Sequence, residues 1–262
     1  MIPTNAGRKE NTRMKLDRVI AVRNSKTVYR DGDRRIKVFH WKYSKADVLN
    51  EALNQARIEE TGLSVSKILE VTTVDGEWSI VSEYVKGKTL AQLMQEEPEK
   101  RDEHIALLAD LHNSIHGKAC PFLTRQKDKM SQRIEMAGLS AAAKEDLKAR
   151  LGTMPEQENI CHGDFHPSNV IISPDAPPYI LDWAQATRGN ASADAARTYL
   201  LLMLDEDASL AELYLDAFCQ RSGIQKQTVK EWLPLVAASC LYGANERERE
   251  LLTSFVDTGD PL

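Results

Sequence analysis

Three polar side chains interrupt the stretch "CHGDFHPSNVIISPDAPPYILDW" over residues 161–183: Asp164, Asn169 and Asp182. A carboxylate and an amide side by side are hard oxygen ligands, suited to a Mg2+ ion that substrate phosphates also hold. A second carboxylate nearby can orient a hydroxyl and accept its proton. Together these are the parts of phosphoryl transfer, in which a protein mostly positions groups and neutralises charge. Any one of these acids alone would more simply cap a loop or pair with an Arg or Lys; the combination at this spacing is what points to a site.

The local pattern says how the three could meet. "NVII" and "YIL" are short β-branched runs separated by "SPDAPP", whose prolines and aspartate make a turn. Antiparallel pairing of 170–172 with 179–181 predicts Asn169 and Asp182 side by side at the open end of that hairpin. Asp164 lies five residues before Asn169, on a loop that Pro167 stiffens.

The surrounding elements divide the chain in two. Residues 16–39 read as strands, "LDRVIAV", "KTVYR" and "RRIKVF", with a turn at Asp31-Gly32-Asp33. A helix is predicted from about Ala46 to Glu60, ended by Thr61-Gly62. Two further strands, "KILEVTTV" and "EWSIVSEYV", are joined by Asp75-Gly76, a strong hairpin signal. From Thr89 onward the periodicity is helical, in "TLAQLMQEE", "DEHIALLADLHNSIH" and "KMSQRIEMAGL", with one strand-like interruption at 160–183. The expected fold class is α+β. A small antiparallel-sheet lobe with one helix occupies 1–85, a mainly helical lobe occupies 86–262, and the crossing falls at "EYVKGK".

Asp164, Asn169 and Asp182 follow the kinase order of a catalytic Asp, four residues, an Asn and a later metal-binding Asp. Gly163 stands where H-R-D has Arg, and Trp183 where D-F-G has Phe. "HGDFHPSN" with "LDW" resembles the aminoglycoside phosphotransferase and choline kinase superfamily, strongly at 162–198 and loosely at 16–90. The resemblance implies a bilobal protein-kinase-like fold with a nucleotide-binding N-terminal lobe and a helical C-terminal lobe carrying the catalytic loop and acceptor site. It implies ATP or GTP, bound between the lobes, and Mg2+ as cofactors. It further implies Asp164 as the catalytic residue and Asn169 and Asp182 as metal ligands. Lys37, on the strand face opposite Ile36 and Val38, becomes the phosphate-binding lysine, and Glu51, opening the following helix, its ion-pair partner. Glu83 and Val85 are the expected backbone contacts to the purine, His162 holds the loop by hydrogen bonding, and Asp194 and Arg197 support it. "AVRNSKTVY" has no glycine where a protein kinase has its glycine-rich loop, so phosphate contacts are expected around Asn24, Ser25 and Lys26. Gln185 occupies a position where relatives often carry an acid.

Whole-chain properties narrow the partners. With 262 residues, 42% of them apolar, the chain can bury a core without crosslinks. A net charge of −5 without a basic stripe argues against a nucleic-acid partner. Cys120, Cys161, Cys219 and Cys240 form no C-x-x-C pair and read as reduced thiols of a cytoplasmic protein. The N-terminal residues lack the apolar core of a signal peptide. "YLLLML" and "WLPLVAASCLYGA" fall short of the roughly 20 residues that span a bilayer, so no membrane partner is expected. His112 and His116 share a helical face at a spacing that suits zinc, but without a third ligand they read as packing. The acids at 205–207 and 245–250, and Trp183, Tyr199, Trp232 and Tyr242, would suit a cationic substrate, although solvated helix faces and core packing are the commoner fates. The expected partner is a small-molecule hydroxyl acceptor: an aminoglycoside, amino sugar, amino alcohol or similar metabolite. The alternatives are a catalytically idle nucleotide-binding regulator and a protein kinase, the latter disfavoured because no A-P-E activation segment follows Asp182.

Overall fold

The computed structural model of the chain describes residue 16 and residues 18–23, 25–205 and 207–257. They form two compact units: the described residues up to Leu49 with Ile68–Tyr84, and Asn50–Lys67 with the described residues from Val85 onward.

The first unit is an antiparallel sheet of β1 (Arg18–Arg23), β2 (Lys26–Asp31), β3 (Arg34–Phe39), β4 (Ile68–Val74) and β5 (Glu77–Glu83), in the order β1-β2-β3-β5-β4. Its hairpins follow the turn chemistry: Asp75 and Gly76 both adopt positive φ, 50° and 87°, as a two-residue hairpin loop requires. Ile36, Val38 and Val81 make the small core of the sheet. β3 is nevertheless covered on both faces, because Lys37, which alternates with that pair, is also buried.

Helix α1 (Lys45–Glu59) begins in the first unit and continues into the second. Ser44 and Asp47 start it with reciprocal hydrogen bonds, 2.9 and 3.2 Å, that satisfy two otherwise unpaired backbone donors. The second unit then runs through β6 (Lys88–Thr89), α2 (Leu90–Glu96), α3 (Arg101–His116), α4 (Gln126–Glu135), α5 (Ala141–Thr153), β7 (Asn159–Cys161), β8 (Val170–Ile172), β9 (Tyr179–Ile180) and β10 (Thr187–Gly189). It closes with α6 (Ala191–Leu204), α7 (Ala208–Ser222), α8 (Lys226–Lys230), α9 (Leu233–Cys240) and α10 (Glu246–Asp257). Thr89 and Gln92 form a capping box on α2, Ser140 caps α5 and Asn190 caps α6.

One apolar core unites these helices around Phe165, Trp183, Tyr214, Phe218 and Trp232. Trp183, Tyr199 and Trp232 are therefore core residues, and Tyr242 is exposed. The acids at the C-terminal end also have structural posts. Asp207 caps α7 and pairs with Arg101 at 3.0 Å, and Glu248 exchanges hydrogen bonds with Asn245 at the start of α10. Glu206 lies outside the described residues. The four cysteines are free thiols, and no helix among the described residues is long and apolar enough to cross a membrane.

Leu108 lies on α3 with no surface exposed. Leu108→Ala is expected to cost about 2–5 kcal/mol through lost burial and a residual cavity, and Thr89→Ala about 1 kcal/mol through the lost cap. Urea unfolding midpoints at constant slope check both values and their order.

Candidate active site

The hairpin forms, with Val170 opposite Ile180 and Ile171 opposite Tyr179. Leu181 N–H donates to Asn169 O at 2.8 Å, so Leu181 is the residue facing Asn169 and Asp182 lies one residue further on. The expected side-by-side register of Asn169 and Asp182 is corrected by that step. Strand alternation ends there, because Asp182 takes up a left-handed conformation, φ 64° and ψ 66°, before the short turn Trp183–Gln185. A non-glycine residue in that region is uncommon and is held there by its surroundings. The other edge of β8 pairs with β6, a contact the sequence did not announce.

Asp164 and Asn169 are tied together. Asn169, 3% exposed, donates from Nδ2 to Asp164 O at 2.9 Å, with Asp164 Oδ2 at 3.4 Å. His162 then clamps this loop to the second strand of the hairpin. Its Nδ1 accepts from Asp164 N–H at 3.2 Å and its Nε2 donates to Leu181 O at 3.0 Å. One imidazole thus fixes the segments bearing Asp164 and Asp182, and burial lowers its pKa, favouring the neutral ring these bonds require.

Asp194, on α6 and 1% exposed, anchors the loop from beneath. Its Oδ1 accepts from Gly163 N–H at 2.8 Å, and its Oδ2 accepts from His162 N–H at 2.7 Å. His112 and His116 of α3 donate to the same Oδ2 at 2.9 and 3.1 Å, and Tyr214 Oη lies 2.6 Å from His112 Nδ1. The sequence supplied the two histidines without their third partner. The structure supplies Asp194, which brings the three into the separation of a metal-ligand set. These atoms are already paired with one another by hydrogen bonds, so the cluster is complete as a support. Burial opposes ionisation of Asp194, but His112 beside it and the hydrogen bonds from both histidines outweigh that and hold the carboxyl well below the usual range. Burial, with His116 alongside, pushes His112 down to about 4.

Arg197, one helical turn beyond Asp194, donates to Gly163 O at 3.3 Å and approaches Asp164 Oδ1 at 3.9 Å. Gly163 is required where it stands: its φ is +77°, and a Cβ there would lie 2.8 Å from Gln185 O.

The remaining sequence candidates lie on other elements. Lys37 is buried on β3 and Glu51 is buried on α1. Glu51 sits in the middle of that helix rather than at its opening, because α1 already starts at Lys45. Ser25 is in the turn before β2, where its carbonyl accepts from His40 N–H at 2.9 Å. Asn24 lies outside the described residues. Glu83 ends β5 opposite Arg34, and Val85 is half-buried at the start of the second unit's longer segment. Sequence reasoning missed Lys129 and Arg133 of α4, which reach Gln185 O at 2.9 Å and Gln185 Oε1 at 2.5 Å. Their one signal is a helical spacing of four.

The profile of the phosphotransferase enzyme family matches residues 18–232. An aminoglycoside 3'-phosphotransferase of Streptomyces ribosidificus is 27% identical over 189 residues, covering 62% of this chain and 68% of the relative. Among solved structures, a choline/ethanolamine kinase family protein from Mesorhizobium loti superposes with a TM-score of 0.64 at 15% identity, over 98% of this chain and 92% of that one. A thermostable aminoglycoside phosphotransferase mutant, solved as a ternary complex with AMP-PNP and hygromycin B, gives a TM-score of 0.67 at 13% identity, over 92% and 91% of the two chains. The fold is the protein-kinase-like fold of these proteins, in agreement with the sequence expectation.

The cluster under the loop makes folding pH-dependent. His112 titrates near 4 when folded and near 6.5 when unfolded, so its contribution is complete above pH 6.5 and is lost as pH falls towards 4. Asp194 adds a loss in the same direction at lower pH, because the stability from its depressed pKa is complete above the unfolded value and is lost progressively as pH falls below it. Unfolding free energy from urea titrations is expected to drop by about 2 kcal/mol between pH 7 and pH 5 from His112 alone. His112→Asn should make that drop smaller, leaving the part that His162, also lowered by burial, contributes, and an unchanged slope would count against the assignment.

Proposed function

Because the chain belongs to the phosphotransferase enzyme family, and is thereby a small-molecule phosphotransferase, we propose that it moves the γ-phosphoryl group of ATP, or alternatively GTP, to a hydroxyl of its acceptor. The observation that carries this reading is the Asp164–Asn169 bond and its fastening by His162 to the strand leading into Asp182. The AMP-PNP and hygromycin B of the related ternary complex support a nucleoside triphosphate donor and a small acceptor.

In this reading Asp164 orients the acceptor hydroxyl and takes its proton. The oxygen attacks the γ-phosphorus, the bond to the bridging oxygen breaks, and the nucleoside diphosphate leaves. Asn169 and Asp182 fit a Mg2+ ion by donor chemistry: with Nδ2 committed to Asp164 O, Asn169 has Oδ1 as its ligating end, and Asp182 adds a carboxylate, both hard oxygens. Bound there, the ion would neutralise phosphate charge. Lys37 is assigned to the phosphate oxygens and Glu51 to supporting it. Both are buried, where charged side chains persist only with partners. Ser25 is assigned to the phosphates and the backbone at Glu83 and Val85 to the base, with residues 1–85 as the nucleotide-binding lobe and 86–262 as the catalytic and acceptor lobe.

Asp164→Ala is expected to lower acceptor-dependent nucleotide consumption by about 10²–10⁴-fold, with nucleotide affinity by calorimetry little changed. Asp182→Ala should remove the Mg2+ requirement of nucleotide binding. Full turnover in Asp164→Ala would refute its role, and metal-independent binding in the parent protein would favour the idle regulator.

A further inference from the structure

Beside Asp164 the second unit holds a cleft open to solvent, lined by Gly163, Gln185 and residues of α4, α6 and α9. Its charged lining is one-sided. Lys129, Arg133 and Arg197 all face it. Asp194 is the acid among the lining residues, and both its oxygens are already taken by the loop amides and the two histidines.

Lys129 and Arg133 lie four residues apart, on one face of α4. They spend one donor each on Gln185, Lys129 on its carbonyl and Arg133 on Oε1. Two ammonium and four guanidinium donors remain. Among the described residues neither has a carboxylate within ion-pairing distance. Arg197 is fixed by Gly163 O and by Cys240 Sγ at 3.1 Å, with Asp164 at 3.9 Å. Burial, then the adjacent Arg133 and Arg197, lower Lys129 to about 7, a sign that positive charge here is under-compensated.

We infer that the acceptor carries an oxyanion, a carboxylate or phosphate group, which Lys129 and Arg133 bind while Asp164 meets its hydroxyl. The inference rests on the phosphotransfer reading above and gives it a substrate class. Arg197 stands between the two ends, near enough to Asp164 to hold its carboxylate and facing the same cavity. A polycationic acceptor would instead meet like charge at short range, which costs affinity.

The test is acceptor-dependent consumption of Mg-ATP with matched probes: glycerate and gluconate as carboxylates, glycerol 3-phosphate and ribose 5-phosphate as phosphates, glycerol and ribose as neutral counterparts, and choline, glucosamine and kanamycin as cations. Asp164→Ala is the blank. An anionic arm should exceed its neutral counterparts at least about tenfold in kcat/KM, and the responding arm identifies the group. Lys129→Gln and Arg133→Gln should each raise KM for it by about 10–100-fold, more than they lower kcat, as loss of a charge-assisted hydrogen bond implies. Lys129→Arg, which keeps the charge, should retain most of the affinity. Preferred turnover of a cationic or neutral acceptor, indifferent to Lys129→Gln and Arg133→Gln, overturns the inference and leaves phosphotransfer standing.

If no probe is turned over, two readouts separate the claims. Asp164-dependent hydrolysis of Mg-ATP in water tests phosphotransfer. The rise in melting temperature with glycerate or inorganic phosphate, parent against the Lys129→Gln/Arg133→Gln double variant and against Lys129→Arg, tests the anion site. A rise confined to the proteins that keep the charge supports the site, and equal rises overturn it.

Discussion

A carboxylate removed from water costs several kcal/mol unless hydrogen-bond donors surround it, and Asp194 is removed almost completely. Its donors come from α3 and from the backbone of the loop at His162 and Gly163. Meeting that demand holds the loop on the helical core, where Gly163 and His162 deliver both amides to one carboxylate. The order of the surrounding groups follows from there. His162, held by its own backbone, can present its ring to Asp164 N–H on one side and Leu181 O on the other. Asp164 and the approach to Asp182 are thereby positioned by a carboxylate on α6 whose two oxygens are both committed to hydrogen bonds.

The cationic cavity depends on the same loop. Gly163 leaves room for the Gln185 backbone, and Gln185 in turn accepts from both Lys129 and Arg133. Gly163 thus serves both groups: its missing Cβ leaves room for the Gln185 that holds Lys129 and Arg133, and its carbonyl accepts from Arg197 beside Asp164. A net acidic protein can in this way hold a local positive field, because charge at a site is set by the groups within a few ångströms rather than by the total.

What the sequence disclosed and what it withheld divide by range. The hairpin was legible because "SPDAPP" can only turn, and the β4–β5 hairpin because Asp75-Gly76 tolerates positive φ. Asp164 and Asn169 were legible because their bond spans five residues. The register step at Asp182 was not, since a left-handed aspartate leaves no mark in the residue pattern. Neither was the pairing of β8 with the two-residue β6, too short to show a period. His112 and His116 announced a shared face, but Asp194 lies 82 and 78 residues away, and Lys129 is 56 residues from Gln185. Lysines and arginines on a mixed-charge helix look like a solvated surface until the fold turns one face inward.

The hairpin has a direction. Asn169 and Leu181 close it at the end where the chemistry is assigned, and residues 173–178 close it at the other, with Pro174, Asp175 and Pro177 exposed. Lengthening a flexible loop costs little, about 0.6 kcal/mol per doubling, and here the register is held by the strands and the clamp rather than by the turn. The tip is thus a place where the gene can accept inserted segments, and where lineages can drift in length, while the reaction geometry at the opposite end is inherited intact.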